Sequence, residues 1–257
     1  MSDHEETVAV ITGGHQGLGL AIAERMIAEG CRKLVLSGRN AAKGNPVAER
    51  LSAGGVDVRF VVADMADAAA AVGLIDRAVA AFGRVNALCN AAAATDRGSI
   101  LDTTPAAWDN LMNTNARGPF FAIQRMAQVA MATGHPACAV NILSMVVHCG
   151  PSFLAPYSAS KAALANVTKN AAQALRGQRI RVNGINCGWM DTPGEDETQR
   201  KYHGAQDGWL EAAEAKAPMG MLVKPGHVAR LASFMLSPAS GVMTGALVDF
   251  DQNVAGA

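Results

Sequence analysis

A tyrosine and a lysine lie four residues apart in Pro156–Lys161, which opens an alanine-rich, helix-forming stretch that ends near Gly177. Residues four apart share one face of a helix, so Lys161 lies one turn from Tyr157. A phenol with its ordinary pKa of about 10 exchanges protons poorly at neutral pH, but a nearby ammonium lowers that pKa. The spacing therefore predicts that Tyr157 is an acid/base catalyst and that Lys161 tunes it. The alternative is a tyrosine at the edge of a core helix beside a solvated lysine, and the pair alone does not decide between them.

A glycine-rich turn, Thr12–Gly19, separates the first apolar run from the first helical pattern. Glycines at such a turn allow a tight bend and a close approach to a pyrophosphate, and the next helix offers unpaired N–H groups to the phosphates. The spacing is TGxxxGxG rather than the GxGxxG of the standard dinucleotide fingerprint. Its place between a strand and a helix predicts dinucleotide binding.

The elements that must position these residues alternate along the whole chain. Short apolar runs read as strands, and helix-forming segments separate them. The predicted strands are 8–11, 33–37, 56–62, 85–89, 137–143, 180–185 and 247–250. Continuous apolar strands that alternate with helices indicate a parallel sheet covered on both faces. The sequence predicts one α/β domain over residues 1–257, a doubly wound parallel sheet of the Rossmann type.

An asparagine and a serine complete a pattern that resembles the classical short-chain dehydrogenase/reductase family over residues 7–248. The family's glycine motif corresponds to Thr12–Gly19, and its catalytic tetrad falls on Asn115, Ser144, Tyr157 and Lys161. The resemblance implies hydride transfer between a nicotinamide C4 and a carbinol or carbonyl carbon. It favours the catalytic interpretation of the tyrosine–lysine pair, because all four residue types lie where an α/β site belongs.

The resemblance gives each tetrad residue a role. Tyr157 exchanges the hydroxyl proton, Lys161 lowers its pKa together with the positive charge of an oxidised nicotinamide, and Ser144 hydrogen-bonds the substrate oxygen. Asn115 kinks its helix and holds a water that relays protons from Lys161. The alternative for Ser144 and Asn115 is ordinary capping of a strand end and a helix.

The resemblance also implies a set of cofactor-binding residues. Asp64 corresponds to the acidic residue that contacts adenine, and Thr192 to the threonine that holds the nicotinamide carboxamide. The full set is Gly13, His15, Gln16, Gly17, Leu18, Gly19, Arg39, Asp64, Met65, Asn90, Ala92, Gly188, Met190 and Thr192. No metal is expected.

Three positions depart from the family. Ala92 stands where the family has a glycine, and Cys187 replaces the proline that precedes Gly188. The family's carboxyl-terminal Asp-Gly-Gly reads Asp249-Phe250-Asp251. None of these changes removes a reacting group.

The end of the second predicted strand bears on the choice of dinucleotide. NAD-preferring members of such folds place a carboxylate there, whereas an arginine accommodates the 2′-phosphate of NADP. Here the carboxylate position is Gly38, Arg39 follows, and His15 could add a second donor. The sequence predicts NADP(H). NAD(H) is the alternative if Arg39 is a solvated residue that stacks on adenine.

A polar segment, 191–218, interrupts the rhythm of strands and helices and is predicted to hold short helices at 195–202 and 209–217. Excursions beyond the carboxyl end of a strand commonly cover substrates, although an exposed loop without a role is the alternative. The segment is rich in charged and amide side chains and poor in large aliphatics, which favours a small polar alcohol or carbonyl substrate such as a sugar or polyol. His148 and Trp189 either line the pocket or pack at the surface.

The composition excludes several classes of partner. The chain has 22 basic and 22 acidic residues, no basic tract and no apolar run near 20 residues, which argues against nucleic acid and membrane partners. Five cysteines without CxxC spacing predict a reduced, cytoplasmic protein without disulfides or zinc. The acidic, polar start is not expected to be a targeting peptide.

Two further expectations concern assembly and function. The resemblance implies a homotetramer, in which helices matching 118–133 and 157–176 pack between subunits, and small alanines on the second helix permit close approach. The alternative function is a non-catalytic, dinucleotide-sensing protein on the same scaffold, since a fold does not fix a function.

Overall fold

The computed structural model describes residues 3–256, so Met1, Ser2 and Ala257, which the predicted domain includes, lie outside the described residues. Seven parallel strands form one sheet in the order β3-β2-β1-β4-β5-β6-β7. The strands are β1 Val8–Thr12, β2 Lys33–Gly38, β3 Asp57–Val62, β4 Ala87–Asn90, β5 Ala137–Ser144, β6 Ile180–Cys187 and β7 Leu247–Phe250. The helices are α1 Gly17–Ala28, α2 Ala41–Leu51, α3 Ala68–Phe82, α4 Pro105–Met112, α5 Gly118–Thr133, α6 Ala155–Leu175, α7 Pro193–His203, α8 Trp209–Glu214 and α9 Pro225–Leu236. The predicted doubly wound α/β fold is confirmed.

Both faces of the sheet are buried, which explains why its strands read as continuous apolar runs. Along β1 the side chains alternate between two cores. Ile11 packs with residues of α1 and α9, such as Ile22 and Met235, whereas Val10 packs with residues of α3 and α5, such as Leu74. The two helical layers therefore hold the strand ends rigidly from both sides.

The strand order reverses next to β1, which pairs with β2 on one side and with β4 on the other. Thr12 is the register partner of both Ser37 and Asn90 at the ends of those strands. Further along the sheet, Ser144 is the partner of Cys187. The carboxyl ends of the strands thus form one row, with the crevice that binds ligands in such sheets at the β1–β4 switch point.

Element bounds differ from the sequence predictions in a few places. The fifth and sixth strands extend to Ser144 and Cys187, because their mutual pairing continues past the apolar runs. The helix that begins at Pro105 ends at Met112 and continues as a π-helical turn, Asn113–Arg117. The predicted helices 195–202 and 209–217 are Pro193–His203 and Trp209–Glu214. Within residues 3–256, no helix has both the length and the apolar character to span a bilayer.

Candidate active site

The four predicted catalytic residues come from three elements at the carboxyl edge of the sheet. Ser144 ends β5, Tyr157 and Lys161 lie in the first two turns of α6, and Asn115 lies in the π-helical turn between α4 and α5. Pro156 occupies the first turn of α6, where its missing N–H costs nothing. The Lys161 ammonium nitrogen lies 5.7 Å from the centre of the Tyr157 ring.

Lys161 is held deep in the site. Its side chain is 2% exposed, and its Nζ donates a hydrogen bond of 2.8 Å to the carbonyl oxygen of Ile142 in β5. Burial lowers the pKa of Lys161 to about 8, because the ammonium is removed from water. A lysine with this pKa can gain and lose a proton near neutral pH.

The pKa of Tyr157 moves in the direction opposite to the sequence prediction. Burial of the phenol raises the pKa of Tyr157 to about 12, and a hydrogen bond with Ser144 offsets only part of that rise. The loss of hydration outweighs the Ser144 hydrogen bond and the positive charge of Arg97, which the sequence pattern could not reveal. Tyr157 is therefore a protonated phenol at neutral pH, ready to donate.

Asn115 is tied down by its side chain. Its amide nitrogen donates to the Ala94 carbonyl oxygen at 2.9 Å and to Ser160 Oγ at 3.0 Å, while its Oδ1 accepts from the Ala94 N–H at 2.8 Å. Both amide hydrogens are thus used to join the π-helical turn to the loop after β4 and to α6. The main-chain groups of Asn115 and the second lone pair of its Oδ1 remain available to hold a relay water.

The glycine-rich turn packs closely against the loop after β4 and against the start of α1 only because its glycines lack side chains. Gly13 has a φ of 65°, and a Cβ there would lie 3.0 Å from Ala92 Cα. A Cβ on Gly19 would collide with the Gly13 carbonyl oxygen. No side chain caps the amino terminus of α1 at Gln16, so its first N–H groups face the turn unpaired. This arrangement fits the diphosphate of a dinucleotide.

His15 occupies the end of the site where a 2′-substituent of the adenosine ribose would lie. A Cβ on Gly38 would lie 2.6 Å from His15 Nδ1, so a carboxylate could not stand at position 38 without moving the ring. Burial lowers the pKa of His15, and the charge of Lys43 lowers it further. His15 Nδ1 is buried without a hydrogen-bond partner. Together with exposed Arg39, these groups form a polar, cationic corner that fits a phosphate.

The remaining predicted cofactor residues divide into two groups. Thr192 caps α7 by accepting a hydrogen bond from the Glu195 N–H at 3.1 Å, and its Cβ lies 3.8 Å from where a Cβ on Gly17 would stand. The start of α7 therefore borders the glycine-rich turn. By contrast, the Asn90 side chain points into the interior, where its Nδ2 donates to Asn141 Oδ1 at 2.8 Å.

The other predicted cofactor-binding residues lie along the carboxyl edge of the sheet, and their contacts are with nearby parts of the chain. Asp64 is exposed and accepts from the Ala66 N–H at 3.0 Å, and Met65 is buried beneath Gly118. Met190 pairs with Val223 in an isolated parallel bridge. Gly188 is covered by the Asp251 carboxylate, which a Cβ would strike.

Comparison with known proteins decides the family. A family model described as Enoyl-(Acyl carrier protein) reductase matches residues 13–252. The chain is 36% identical to the NADP-dependent (R)-specific alcohol dehydrogenase of Lentilactobacillus kefiri, over 93% of this chain and 92% of that protein. The chain belongs to the classical short-chain dehydrogenase/reductase family. It is also 31% identical to galactitol 2-dehydrogenase of Agrobacterium fabrum (strain C58 / ATCC 33970), over 91% of each.

A solved structure titled short chain dehydrogenase/reductase family protein superposes with a TM-score of 0.83 and 30% identity, covering 98% of this chain and 97% of that one. As a short-chain dehydrogenase/reductase, this protein is an oxidoreductase that uses NAD(P). The predicted family and enzyme class are confirmed.

The excursion of this short-chain dehydrogenase/reductase is anchored on both rims of the cleft. The Tyr202 hydroxyl donates to Asp96 Oδ1 at 2.9 Å, in the loop after β4. The His203 ring lies edge-on to Phe153, with 5.3 Å between ring centres, in the loop before α6. The excursion therefore contacts both the loop after β4 and the loop before α6.

The two tryptophans of the excursion region pack on one another. Trp189 and Trp209 stack with ring centres 6.2 Å apart. Their Nε1 atoms donate to Glu195 at 2.8 Å and to Asp196 at 2.7 Å respectively. Trp189 is thus a structural partner of α7 and α8.

His148 and Cys187 have definite places. His148 Nε2 lies 3.0 Å from both carboxylate oxygens of Asp249, which anchors the loop after β5 to β7. Cys187 lies beside Ser144 in the sheet, and burial raises the pKa of its thiol to about 12. Cys187 therefore stays neutral.

The sequence interpretation missed Lys43 and Arg97. Lys43 lies on the exposed face of α2, and the sequence prediction of the phosphate site considered only residues at strand ends and in the glycine-rich turn. Arg97 lies in a loop with no pattern of its own. Only the fold brings the two residues to the site.

Proposed function

We propose that this protein transfers a hydride between NADP(H) and a small polar alcohol or carbonyl substrate, with Asn115, Ser144, Tyr157 and Lys161 as the catalytic tetrad. The observation that carries this proposal is the pairing of a buried Lys161 with Tyr157, one turn apart and next to Ser144 at the strand edge. Burying an ammonium costs free energy, and buried charges of this kind are found mainly at functional sites.

The chemistry divides between the cofactor and the chain. When bound, the nicotinamide supplies or accepts the hydride, that is, two electrons and one hydrogen. In the reducing direction, the Ser144 hydroxyl holds the substrate oxygen, and Tyr157 Oη donates the proton that converts it to a hydroxyl. Lys161, with its pKa near 8, stabilises the phenolate left behind until solvent restores the proton. In the oxidising direction the same groups take the proton from the alcohol.

The corner formed by His15, Arg39 and Lys43 supports a preference for NADP(H). The side chain of His15 fills the space above Gly38 that the carboxylate of an NAD-preferring site would use. Charge-assisted hydrogen bonds from Arg39 to a 2′-phosphate are worth roughly 1.5–3 kcal/mol, which corresponds to about a ten- to hundredfold preference. The similar alcohol dehydrogenase of Lentilactobacillus kefiri is named as NADP-dependent.

The excursion 191–218 supports a small polar substrate and is proposed to cover it. Its helix α7 is strongly polar, with Glu195, Asp196 and Arg200 in its first two turns. A sugar or polyol would fit such a cover, and one similar protein is named as a galactitol dehydrogenase. A long acyl or steroid substrate would need an extended apolar lining.

Exposed apolar residues on α5 support the proposed assembly, and the state of the cysteine thiols supports the proposed location. The exposed face of α5 carries Phe120 and Met131, which supports subunit packing through α5 and α6 in a homotetramer. The five cysteines in the described part of the chain are free thiols, four of them buried, which supports a reducing, cytoplasmic location.

The direct test is oxidation of NADPH, followed by absorbance, with a panel of aldehydes, ketones and keto sugars. Turnover by the parent that Tyr157→Phe abolishes, while NADPH still binds, supports the proposal. Tight cofactor binding with every carbonyl inert would reject it and favour the sensing alternative.

A further inference from the structure

Arg97 is a half-buried cation beside the catalytic tyrosine, and its charge has no carboxylate partner within residues 3–256. Its Nη1 donates to the Thr95 carbonyl oxygen at 3.0 Å. Its Nε is buried with no hydrogen-bond acceptor. A guanidinium withdrawn from water with an unused donor is a costly arrangement unless a ligand completes it.

The main chain fixes Arg97 next to the site. Its neighbour Gly98 donates from its N–H to Phe153 at 2.9 Å and accepts from the Ala155 N–H at 3.0 Å. These bonds join the loop after β4 to the loop that leads into α6, two residues before Tyr157. The positive charge of Arg97 lowers the pKa of Tyr157, although burial outweighs it, so the guanidinium and the phenol act on one another.

Two aromatic rings define the direction of the guanidinium. Its carbon lies 5.8 Å from the centre of the Phe153 ring and 5.8 Å from the centre of the Tyr202 ring of α7. Arg97 therefore lies between the loop before α6 and the excursion. Its Nη1 is used by Thr95, whereas Nε and Nη2 have no acceptor within the described residues, so this edge of the guanidinium remains for a planar anion.

The nearby carboxylates are already satisfied by other donors. Asp96 accepts from the Tyr202 hydroxyl at 2.9 Å and from Asn110 Nδ2 at 3.2 Å. Glu195 accepts from Trp189 Nε1 at 2.8 Å and from Gln199 Nε2 at 2.7 Å. Neither of them pairs with Arg97, so its charge remains available to something that enters the cleft.

We propose that Arg97 binds a carboxylate of the substrate, so that the substrates of this enzyme are hydroxy acids and the corresponding oxo acids. The proposal rests on the hydride-transfer function proposed above and names its substrate class. The carboxylate accepts from the in-plane N–H groups of Arg97 while Tyr157 and Ser144 hold the reacting oxygen. A carboxylate matches the planar fork of one guanidinium. A phosphate ester would use additional donors, which the described residues around Arg97 do not offer.

The test compares each oxo carboxylate with its own methyl ester, in a series that places the carboxylate one to four carbons from the ketone. Aldonates paired with the matching alditols test the oxidising direction, and phosphate monoesters of hydroxy ketones test the other anion. In the parent, kcat/KM for the best acid exceeds that for its ester by about ten- to a hundredfold, and the phosphate esters are poor substrates.

Variants separate recognition from a structural role. Arg97→Met keeps the apolar stem between the rings and removes the preference for acids mainly through KM, while ester turnover persists. Arg97→Lys retains part of the preference, because it keeps the charge without the fork. Lys201→Met is the matched control: its exposed ammonium lies 4.4 Å from the centre of the same Tyr202 ring, and its loss is expected to leave the preference intact.

The outcomes also distinguish this proposal from the function on which it rests. Equal use of acids and esters by the parent, or equal losses for both in Arg97→Met, overturns the role of Arg97 while hydride transfer stands. If no carbonyl compound turns over, calorimetry of the NADP complex with the same carboxylates decides. Binding that Arg97→Met abolishes supports the anion site, and the absence of binding overturns it.

Discussion

The Lys161 ammonium lies 5.7 Å from the centre of the Tyr157 ring, and its side chain is almost fully removed from water. Because Tyr157 carries the only phenol in this position, Tyr157→Phe is expected to lower kcat by about 10²–10⁴-fold or more while the Kd for NADPH changes little. Stopped assays and NADPH fluorescence measure the two effects. Tyr202→Phe, the same change at the other tyrosine, loses far less activity. A Tyr157→Phe enzyme that keeps most of its turnover would sink the mechanism.

The burial of Lys161 makes a prediction about stability. Burial lowers its pKa from 10.5 to about 8, so below pH 8 the folded chain holds a charge that the unfolded chain hydrates more favourably. Between pH 8 and 10.5 the unfolded state binds more protons, and stability rises with pH. Lys161→Met is therefore expected to be inactive but more stable at pH 7, by on the order of 1–3 kcal/mol, with the gain shrinking towards pH 10.

Urea unfolding at one protein concentration, at pH 7 and pH 9.5, measures this difference. Lys169→Met on the exposed face of the same helix is the control and shows no such pH-dependent gain. A Lys161→Met protein that is less stable than the parent at pH 7 would contradict the cost assigned to the buried ammonium.

Cofactor choice is tested at the corner above Gly38. Arg39→Ala is expected to lower kcat/KM with NADP by about ten- to a hundredfold and to leave the value with NAD nearly unchanged. Lys43→Ala is expected to act in the same direction with a smaller effect. Arg50→Ala, on the same helix but paired with Glu24 at 2.8 Å, is the control. Equal efficiency with NAD and NADP in the parent, unmoved by Arg39→Ala, rejects the phosphate role.

The proposed tetramer is tested at α5. Light scattering at micromolar concentration is expected to give about four times the 26.6 kDa chain mass. Phe120, 44% exposed on α5, is expected to lie in the interface, so Phe120→Glu buries a charge there and lowers the mass. Val242→Glu, at a position outside α5 that is 96% exposed, is expected to leave the mass unchanged. A monomer mass for the parent would refute the assembly.

His4 makes stability sensitive to mild acid. It is fully buried, with Nε2 2.9 Å from Ser233 Oγ, and burial lowers its pKa although Glu29 and Asp3 act in the opposite direction. Below pH 6.5 the unfolded chain binds a proton that the folded chain resists, so stability falls. His4→Gln is expected to flatten the difference in unfolding free energy between pH 7.5 and 5.5, whereas His135→Gln is not. Identical pH dependence in the parent and in His4→Gln would exclude His4 as the source.

The sequence predicts the sheet well because its strands give local signals, and the proposed tetrad is located by signals of the same local kind. Apolar runs, the glycine-rich turn and the Tyr157–Lys161 spacing are visible without knowledge of distant contacts. Strand ends are less predictable, since Ser144 belongs to β5 only through its pairing with Cys187. The π-helical turn at Asn115 depends in the same way on bonds to Ala94 and Ser160, which lie far away in the chain.

Charge and burial are the parts that the sequence could not supply. The direction of the Tyr157 pKa depends on how much water the fold removes, not on the spacing to Lys161. The position of Arg97 at the site cannot be predicted from the sequence, because it depends on contacts with Phe153 and with Tyr202 of α7, which are distant in the chain. His4, in an acidic and polar start, becomes a core residue because α1 and α9 close over it.

The excursion leaves and rejoins the body of the protein at a single narrow neck. The Asp191 N–H donates to the Val223 carbonyl oxygen at 3.0 Å, and the Val223 N–H donates to Trp189 at 3.0 Å, so the two ends of the segment lie side by side. Exchanging residues between them leaves the two ends of the segment joined, provided that Thr192, which borders the glycine-rich turn, is kept. We therefore expect that the substrate range can be re-engineered by exchanging one continuous segment, while the proposed proton-transfer residues on α6 stay unchanged.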